Sequence, residues 1–326
     1  MAVGILGMGA YVPSGVVDNA KVAEWADVPQ DWIEQRTGIG QRRYATDDTP
    51  TSALGVAAVR NLMRDYPDAL SDVGAIIVAT STPDQPIPAT AAILQDAVGL
   101  SGVPAWDVNA VCSGFVFAFV QGAALVDAGS MERVLIVAAD KYSVLMDRSD
   151  ERTVSLFGDG AGAVVVGRVP DGYGLRAHRL YTHGEHSALV EVIAGGTRRA
   201  SDQAARDAGE HLFRMQGRRV REYLISTLPA AIDAVLKDTG LSVAGIDRWV
   251  FHQANPRLLE DVATRLGIDP ARMPMTGSYL GNTGGASIAI TLAHTDAARP
   301  LQRGDHVLLG VVGGGMTGAA AVMTWY

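Results

Sequence analysis

Short, unbroken apolar runs recur along the chain, separated by longer stretches whose apolar positions have helical spacing. Ala75–Ala79 in GAIIVATST, Arg133–Ala138 in RVLIVAAD and Ala163–Val166 in GAVVVG are rich in Val and Ile. With almost no polar alternation, they read as strands covered on both faces. Between such runs, TSALGVAAVRNLMRDY and ATAAILQDAVGL space their apolar residues three and four apart, which predicts amphipathic helices. Strand and helix in alternation predict the α/β class with a mostly parallel sheet.

The second half repeats this order. LISTLPAAIDAVLKDTGL, helical by its spacing, leads into DRWVFHQAN, a strand and turn, much as ALGVAAVRNLMRDY leads into DVGAIIVATST. Near the C-terminus, GDHVLLGVVGGGMTGAAAVMTWY echoes MERVLIVAADKYS and SLFGDGAGAVVVGRV, with a strand, a turn and another strand in each. The chain therefore reads as an internal duplication, with halves 1–170 and 171–326. The likeness lies more in the order of elements than in the letters.

Composition narrows the classes. With 326 residues, 48% hydrophobic and 19% charged, the chain can bury a large core and is not a disordered tail. The net charge is −8, and acidic and basic residues are interleaved, which argues against a nucleic-acid surface. A single cysteine excludes an intramolecular disulfide and a CxxC metal site. The N-terminal MAVGILGMGAYVP lacks the basic and apolar regions of a secretion signal, so a cytoplasmic location is expected. No run reaches the roughly 18 uncharged apolar residues of a membrane-spanning helix.

The lone Cys112 lies in VPAWDVNAVCSGFVFAFVQGAALVDAG, read as a short strand (Ala105–Val108), a tight turn and an apolar helix beginning at about Cys112. A free cysteine is commonly inert packing. At a helix N-terminus, however, a thiol faces unpaired backbone N–H groups and the positive end of the macrodipole, which is expected to lower its pKa and favour the nucleophilic thiolate. The second half supplies partners in strand-to-loop positions. His252 follows the apolar strand in VFHQANPRL, and Asn282 sits in the glycine-rich YLGNTGGASIAI. Taken singly, such a histidine is commonly a structural hydrogen-bonder and such an asparagine a turn residue or cap. Together they offer two side-chain N–H donors for a carbonyl oxygen on which negative charge develops.

DVNAVCSGF, FHQAN, GNTGGAS and GVVGGGMTG, in that order and spacing, resemble the β-ketoacyl-acyl carrier protein synthase III family. DWIEQRTGIGQRRYA and LFGDGAGAVVV extend the resemblance over essentially the whole chain. It implies a thiolase-like fold of two βαβαβαββ halves in five αβαβα layers, as a homodimer. It also implies that Cys112 takes an acyl group from acyl-coenzyme A, that His252 and Asn282 bind the malonyl thioester carbonyl for decarboxylative condensation, and that the Cys112 and Gly314 amides form an oxyanion hole. No cofactor is implied beyond the acyl-coenzyme A and malonyl-carrier substrates.

Further matched positions concern binding. Trp32, Arg36 and Arg152 fall where the family grips the coenzyme A nucleotide, and Gly217 and Asn255 where it lines the pantetheine tunnel. Arg257 matches a residue that docks the acyl carrier protein, and Arg218, with Arg219 and Arg221, adds positive charge nearby. Ile87, in STPDQPIPATAAI, occupies an acyl-pocket position often held by an aromatic residue in acetyl-selective members. The stretch Tyr181–Ala208 matches the family poorly and reads as loop; its His183 and His186 lack a third metal ligand. A relative that passes the Cys112-bound acyl group to an alcohol, amine or carrier without forming a carbon–carbon bond is the alternative reading.

Overall fold

The computed structural model describes residues 1–326. The first half is β1 (Ala2–Tyr11), α1 (Thr51–Asp65), β2 (Val73–Ala79), α2 (Thr90–Ala97), β3 (Ala105–Val108), α3 (Gly114–Asp127), β4 (Arg133–Lys141) and β5 (Asp159–Val169). The second is β6 (Gly174–Thr182), α4 (Gly217–Thr239), β7 (Arg248–Phe251), α5 (Pro256–Leu266), α6 (Ser287–Ala298), β8 (His306–Gly313) and β9 (Thr317–Thr324). Other short strands, helices and turns fill the connections.

The strands form two separate main sheets, ordered β1-β5-β4-β2-β3 and β7-β8-β9-β6. The second order repeats the first, with β6, β7, β8 and β9 standing for β1, β2, β4 and β5. Pairing directions repeat as well: β2/β4 and β7/β8 are parallel, whereas β4/β5, β5/β1, β8/β9 and β9/β6 are antiparallel. Both sheets are therefore mixed rather than mostly parallel. The turn Gly314–Met316 between β8 and β9 is far too short for the crossover that parallel neighbours require. The counterpart of β3 is irregular chain through Pro274 and Met275, where proline has no N–H to give a ladder.

Period-two burial stacks these sheets into five layers. Ala75, Ile77 and Ala79 of β2, Val134 and Ile136 of β4, and Val307, Leu309 and Val311 of β8 turn toward one central cluster with Phe115 and Phe119 of α3 and Ile288 and Leu292 of α6. The alternate residues Ile76, Val78, Leu135 and Val137 pack outward on Leu54, Leu62 and Leu94 of α1 and α2. Leu308 and Val312 do the same on Leu228, Ile232 and Leu259 of α4 and α5. Because α3 lies between two sheets, its sequence is apolar on nearly all sides. Each such large side chain contributes roughly 1.5–3 kcal/mol on burial. The central helices α3 and α6 carry Cys112 and Asn282 on the turns that lead into them.

Candidate active site

Cys112 lies in a single 3-10 turn, Val111–Ser113, and the α-helix proper begins at Gly114. Val111 holds a left-handed φ of 49°. A β-branched residue there is strained by about 1–3 kcal/mol, and the strain turns the chain sharply out of β3. A matching 3-10 turn, Gly284–Ala286, leads into α6. The two turns abut: a Cβ on Gly285 would lie 2.9 Å from the Val111 carbonyl oxygen. A Cβ on Gly313 would lie 3.0 Å from the Cys112 nitrogen, so only glycine lets the β8–β9 turn approach the nucleophile this closely. Thr317 fastens that turn through its hydroxyl to the Ala110 carbonyl and to Ser113 Oγ, at 3.1 and 3.0 Å.

Asn282 is buried, and both its backbone groups are engaged, its N–H with Leu156 O at 2.8 Å and its carbonyl with Gly158 N at 2.9 Å. Its side-chain Oδ1 accepts from Gly284 N at 3.0 Å, which assigns the free end of the amide as the Nδ2 donor. His252 follows β7 and is anchored to the start of α6, with Nδ1 2.7 Å from Ser287 Oγ. That hydroxyl accepts from Gln253 N at 3.3 Å; we assign its own hydrogen to His252 Nδ1, which places the imidazole hydrogen on Nε2. Burial holds the imidazole down to about 4, so it is neutral at physiological pH. The segment Asn282–Ser287 thus joins three sequence-predicted positions: it carries Asn282, anchors His252 and packs on the Cys112 turn.

The thiol departs from expectation. Desolvation of the half-buried Cys112, reinforced by the carboxylate of Asp140, pushes it up to about 12. The Gly314 and Cys112 backbone amides oppose this with a smaller effect. The resting residue is therefore a neutral thiol. Alkylation of Cys112 by iodoacetamide should climb about tenfold per pH unit between about pH 6 and 9, without a plateau. A plateau near neutrality would show instead that the helix terminus dominates.

Trp32, with Arg36 5.7 Å from its ring centre, sits on the Gln30–Thr37 helix, which ends beside α5 where Gly38 meets Pro256. That contact puts Trp32, Arg36, Asn255 and Arg257 in one neighbourhood. Asn255 also caps α5, its Oδ1 accepting from Leu258 N at 3.2 Å. Gly217 opens α4, and Arg152 is exposed beside Glu151. Trp32 and Met215 border an apolar cluster that runs inward through Phe213, Phe157 and Tyr142.

Ile87 is not buried within the chain; it is 85% exposed on the turn before α2, held by a bond from Gln85 to its carbonyl. Tyr142, close enough to Cys112 to feel its charge, is fully buried and stacked on Phe157 at 4.6 Å. Tyr181–Ala208 is more structured than a loop: it completes β6, forms a 3-10 helix (Gly184–Leu189) and a helix (Gln203–Asp207), and presses Val190 on Gly314. His183 meets Tyr223, with Nδ1 2.7 Å from its hydroxyl, and no group of three metal-ligating side chains occurs. Sequence reading misses Ser287, Tyr142 and Asp140. Asp140 alone leaves a visible signal, a carboxylate closing the apolar run RVLIVAAD.

Two mixed sheets enclosing a pair of duplicated helices, with a cysteine at the head of one, define the thiolase-like class of condensing enzymes. The family models for 3-oxoacyl-[acyl-carrier-protein] synthase III and for its C-terminal part match residues 106–184 and 236–325. An acetoacetyl CoA synthase of Streptomyces sp. (strain CL190) is 43% identical, over 98% of each chain. A β-ketoacyl-[acyl-carrier-protein] synthase III of Deinococcus radiodurans is 38% identical over all of this chain and 95% of its own. Among solved structures, the synthase III of Thermus thermophilus superposes with a TM-score of 0.90 at 39% identity, covering 99% of both chains. The priming β-ketosynthase of the R1128 polyketide pathway gives 0.92 at 30%, covering 99% of this chain and 96% of its own. The chain belongs to the 3-oxoacyl-[acyl-carrier-protein] synthase III family.

Proposed function

We propose that Cys112 attacks an acyl-coenzyme A and becomes the acyl thioester, and that this group is then condensed with a malonyl thioester. The observation that carries this reading is the convergence on Cys112 of the glycine turn from β8 and the Asn282–Ser287 segment. In loading, the thiol proton passes in net terms to the departing coenzyme A sulfur, and the Cys112 and Gly314 amides receive the oxyanion. In condensation, His252 Nε2–H and Asn282 Nδ2–H hold the malonyl thioester oxygen as carbon dioxide leaves. The enolate carbon attacks the acyl-cysteine carbonyl and expels the Cys112 thiolate, which recovers a proton. Both donors are neutral, so the enolate oxygen gains hydrogen bonds without proton transfer. The departing carbon dioxide supplies the carbanion, so we read the reaction as needing no cofactor.

Intact-protein mass spectrometry with a panel of acyl-coenzyme A thioesters, followed by a malonyl-carrier chase, tests this reading. An acyl adduct that disappears as β-ketoacyl product forms supports it. An adduct that survives every malonyl thioester would shift the assignment to acyl transfer onto another acceptor. Trp32, Arg36, Arg152 and Gly217 are read as the coenzyme A entry, supported by the Arg36 guanidinium 5.7 Å from the Trp32 ring, an aromatic and cationic surface suited to a nucleotide.

One observation favours a second extender. Arg257 and Arg218, the expected carrier-docking pair, are engaged by Glu260 and Glu222, both at 3.1 Å, and Arg221 by Asp261 at 2.6 Å. This surface therefore offers an acidic carrier mixed charge, and malonyl-coenzyme A becomes the competing acceptor, in keeping with the name of the Streptomyces relative. Such exposed pairs are worth about 0–1 kcal/mol and exchange readily, so the carrier reading stands beside it. Under the carrier reading, reversing both Arg218 and Arg257 to Glu should raise KM for malonyl-carrier about tenfold or more while leaving malonyl-coenzyme A within about twofold. Equal effects on both would remove the docking role.

We also read the protein as a cytoplasmic homodimer. Its only thiol must stay reduced to act, and no helix is long and apolar enough to cross a membrane. β3 is a sheet edge with unpaired backbone groups, and exposed Ile87 lies nearby because Asp107 of β3 accepts from the Thr90 and Ala91 amides. A second copy pairing along this edge would cover both.

A further inference from the structure

Asp140, at the end of β4, is fully buried and has no cationic partner; the neighbouring Lys141 donates to the carbonyls of Thr46, Asp47 and Thr49 instead. A carboxylate this deep is tolerated only when donors surround it. Its Oδ1 accepts from Ser81 N at 2.8 Å and Ser81 Oγ at 3.0 Å, with the Thr80 and Thr82 hydroxyls at 3.3 Å. Its Oδ2 reaches across to the other half of the molecule and accepts from Gly285 N at 2.7 Å. Burial raises the carboxyl to about 6, against the lowering effect of these hydrogen bonds.

The bond to Gly285 has a direct bearing on Asn282. Gly285 follows Gly284, whose N–H holds Asn282 Oδ1. The turn is glycine-dependent: Gly284 has a φ of 58°, and a Cβ there would collide with the Tyr142 ring and Asp140 Oδ2. On the other side, Ser81 Oγ gives its hydrogen to Asp140 and lies 2.8 Å from the Tyr142 hydroxyl. One carboxylate thus ties the Thr80–Thr82 loop of the first half to the Gly284–Gly285 turn of the second.

We propose that Asp140 is the positioning residue for the condensation half-reaction: by holding the Gly285 amide it sets the turn that presents Asn282 Nδ2 to the malonyl carbonyl. The proposal rests on the condensing reading above. Loading uses the Cys112 and Gly314 amides, to which Asp140 makes no hydrogen bond, and the Asp140 charge only opposes thiolate formation at Cys112, so removing that charge should slow condensation without slowing loading.

Asp140→Asn keeps the shape but sets an NH2 group against N–H or O–H donors on one side of the tether. It should lower the condensation rate of pre-acylated enzyme about 30-fold or more, as expected when a reacting group is misplaced, while loading is not slowed and can rise as the charge opposing the Cys112 thiolate is removed. In an Asn282→Ala background the same substitution should add little, because a residue acting through Asn282 cannot matter once that amide is gone. Ser81→Ala removes one hydroxyl donor without stranding the carboxylate. It keeps the proposal testable should Asp140→Asn not fold, and should cost about three- to tenfold in condensation alone. Parallel loss of loading and condensation in a folded variant, or full additivity with Asn282→Ala, would overturn the assignment. Failure of the wild-type enzyme to condense any malonyl thioester would instead remove the functional reading itself.

Discussion

Cys112→Ala should leave the protein with no acyl adduct after incubation with acyl-coenzyme A, under conditions in which the wild-type mass shifts by one acyl group. No second thiol exists to substitute, since this is the only cysteine in the chain. Losing a covalent nucleophile from an assembled site costs on the order of 10⁴-fold or more. Folding should survive: the side chain lies at the edge of the central cluster, and Ala keeps its backbone amide and the Val111–Ser113 turn. Thermal unfolding of the variant within a few degrees of wild type, measured beside the mass spectra, would confine the loss to chemistry. An undiminished adduct on Cys112→Ala would remove Cys112 from the acyl-carrying role.

The features legible in the sequence are those that local pattern encodes. Ala75–Ala79 and Arg133–Ala138 are apolar at consecutive positions because each sheet is covered on both faces, so the strands and the repeat are visible in the order of residues alone. The nucleophile turn is nearly as clear, but its helix starts at Gly114 because Val111 takes a left-handed backbone that composition does not signal. Mixed pairing is hidden because strand direction depends on the connection: three residues between β8 and β9 force a hairpin, and that boundary is uncertain in a run as uniform as GVVGGGMTGAAA. Thiol acidity escapes for a different reason. A helix terminus is visible in sequence, whereas the desolvation and the Asp140 charge that outweigh it arise from residues distant in the chain. Asp140, Ser287 and Tyr142 likewise acquire meaning only when the two halves close on one another. The exposed Ile87 shows the converse: a position matched by resemblance can stand in solvent, because exposure is set by the fold around it and not by the letters beside it.

Asn282→Ala should separate the two half-reactions: acyl loading at the wild-type rate, and condensation slower by about 10²–10³-fold, the usual cost of one donor at a developing oxyanion. The turn itself should hold, because the Asn282 backbone bonds to Leu156 and Gly158 do not involve the side chain and Gly285 stays fixed to Asp140. What disappears is Nδ2, leaving His252 as the remaining side-chain donor proposed for the enolate. His252 cannot compensate by becoming charged, since burial keeps its pKa near 4 and protonation would strand a cation beside the Ser287 hydroxyl. Rapid-quench measurement of loading, followed by a malonyl chase of the isolated acyl-enzyme, reads each step alone. A persistent acyl-enzyme places the Asn282 amide in the decarboxylation and condensation step. Equal slowing of loading would mean that the Asn282 segment shapes the Cys112 turn on which it packs, and the division of labour between the two halves of the molecule would fail.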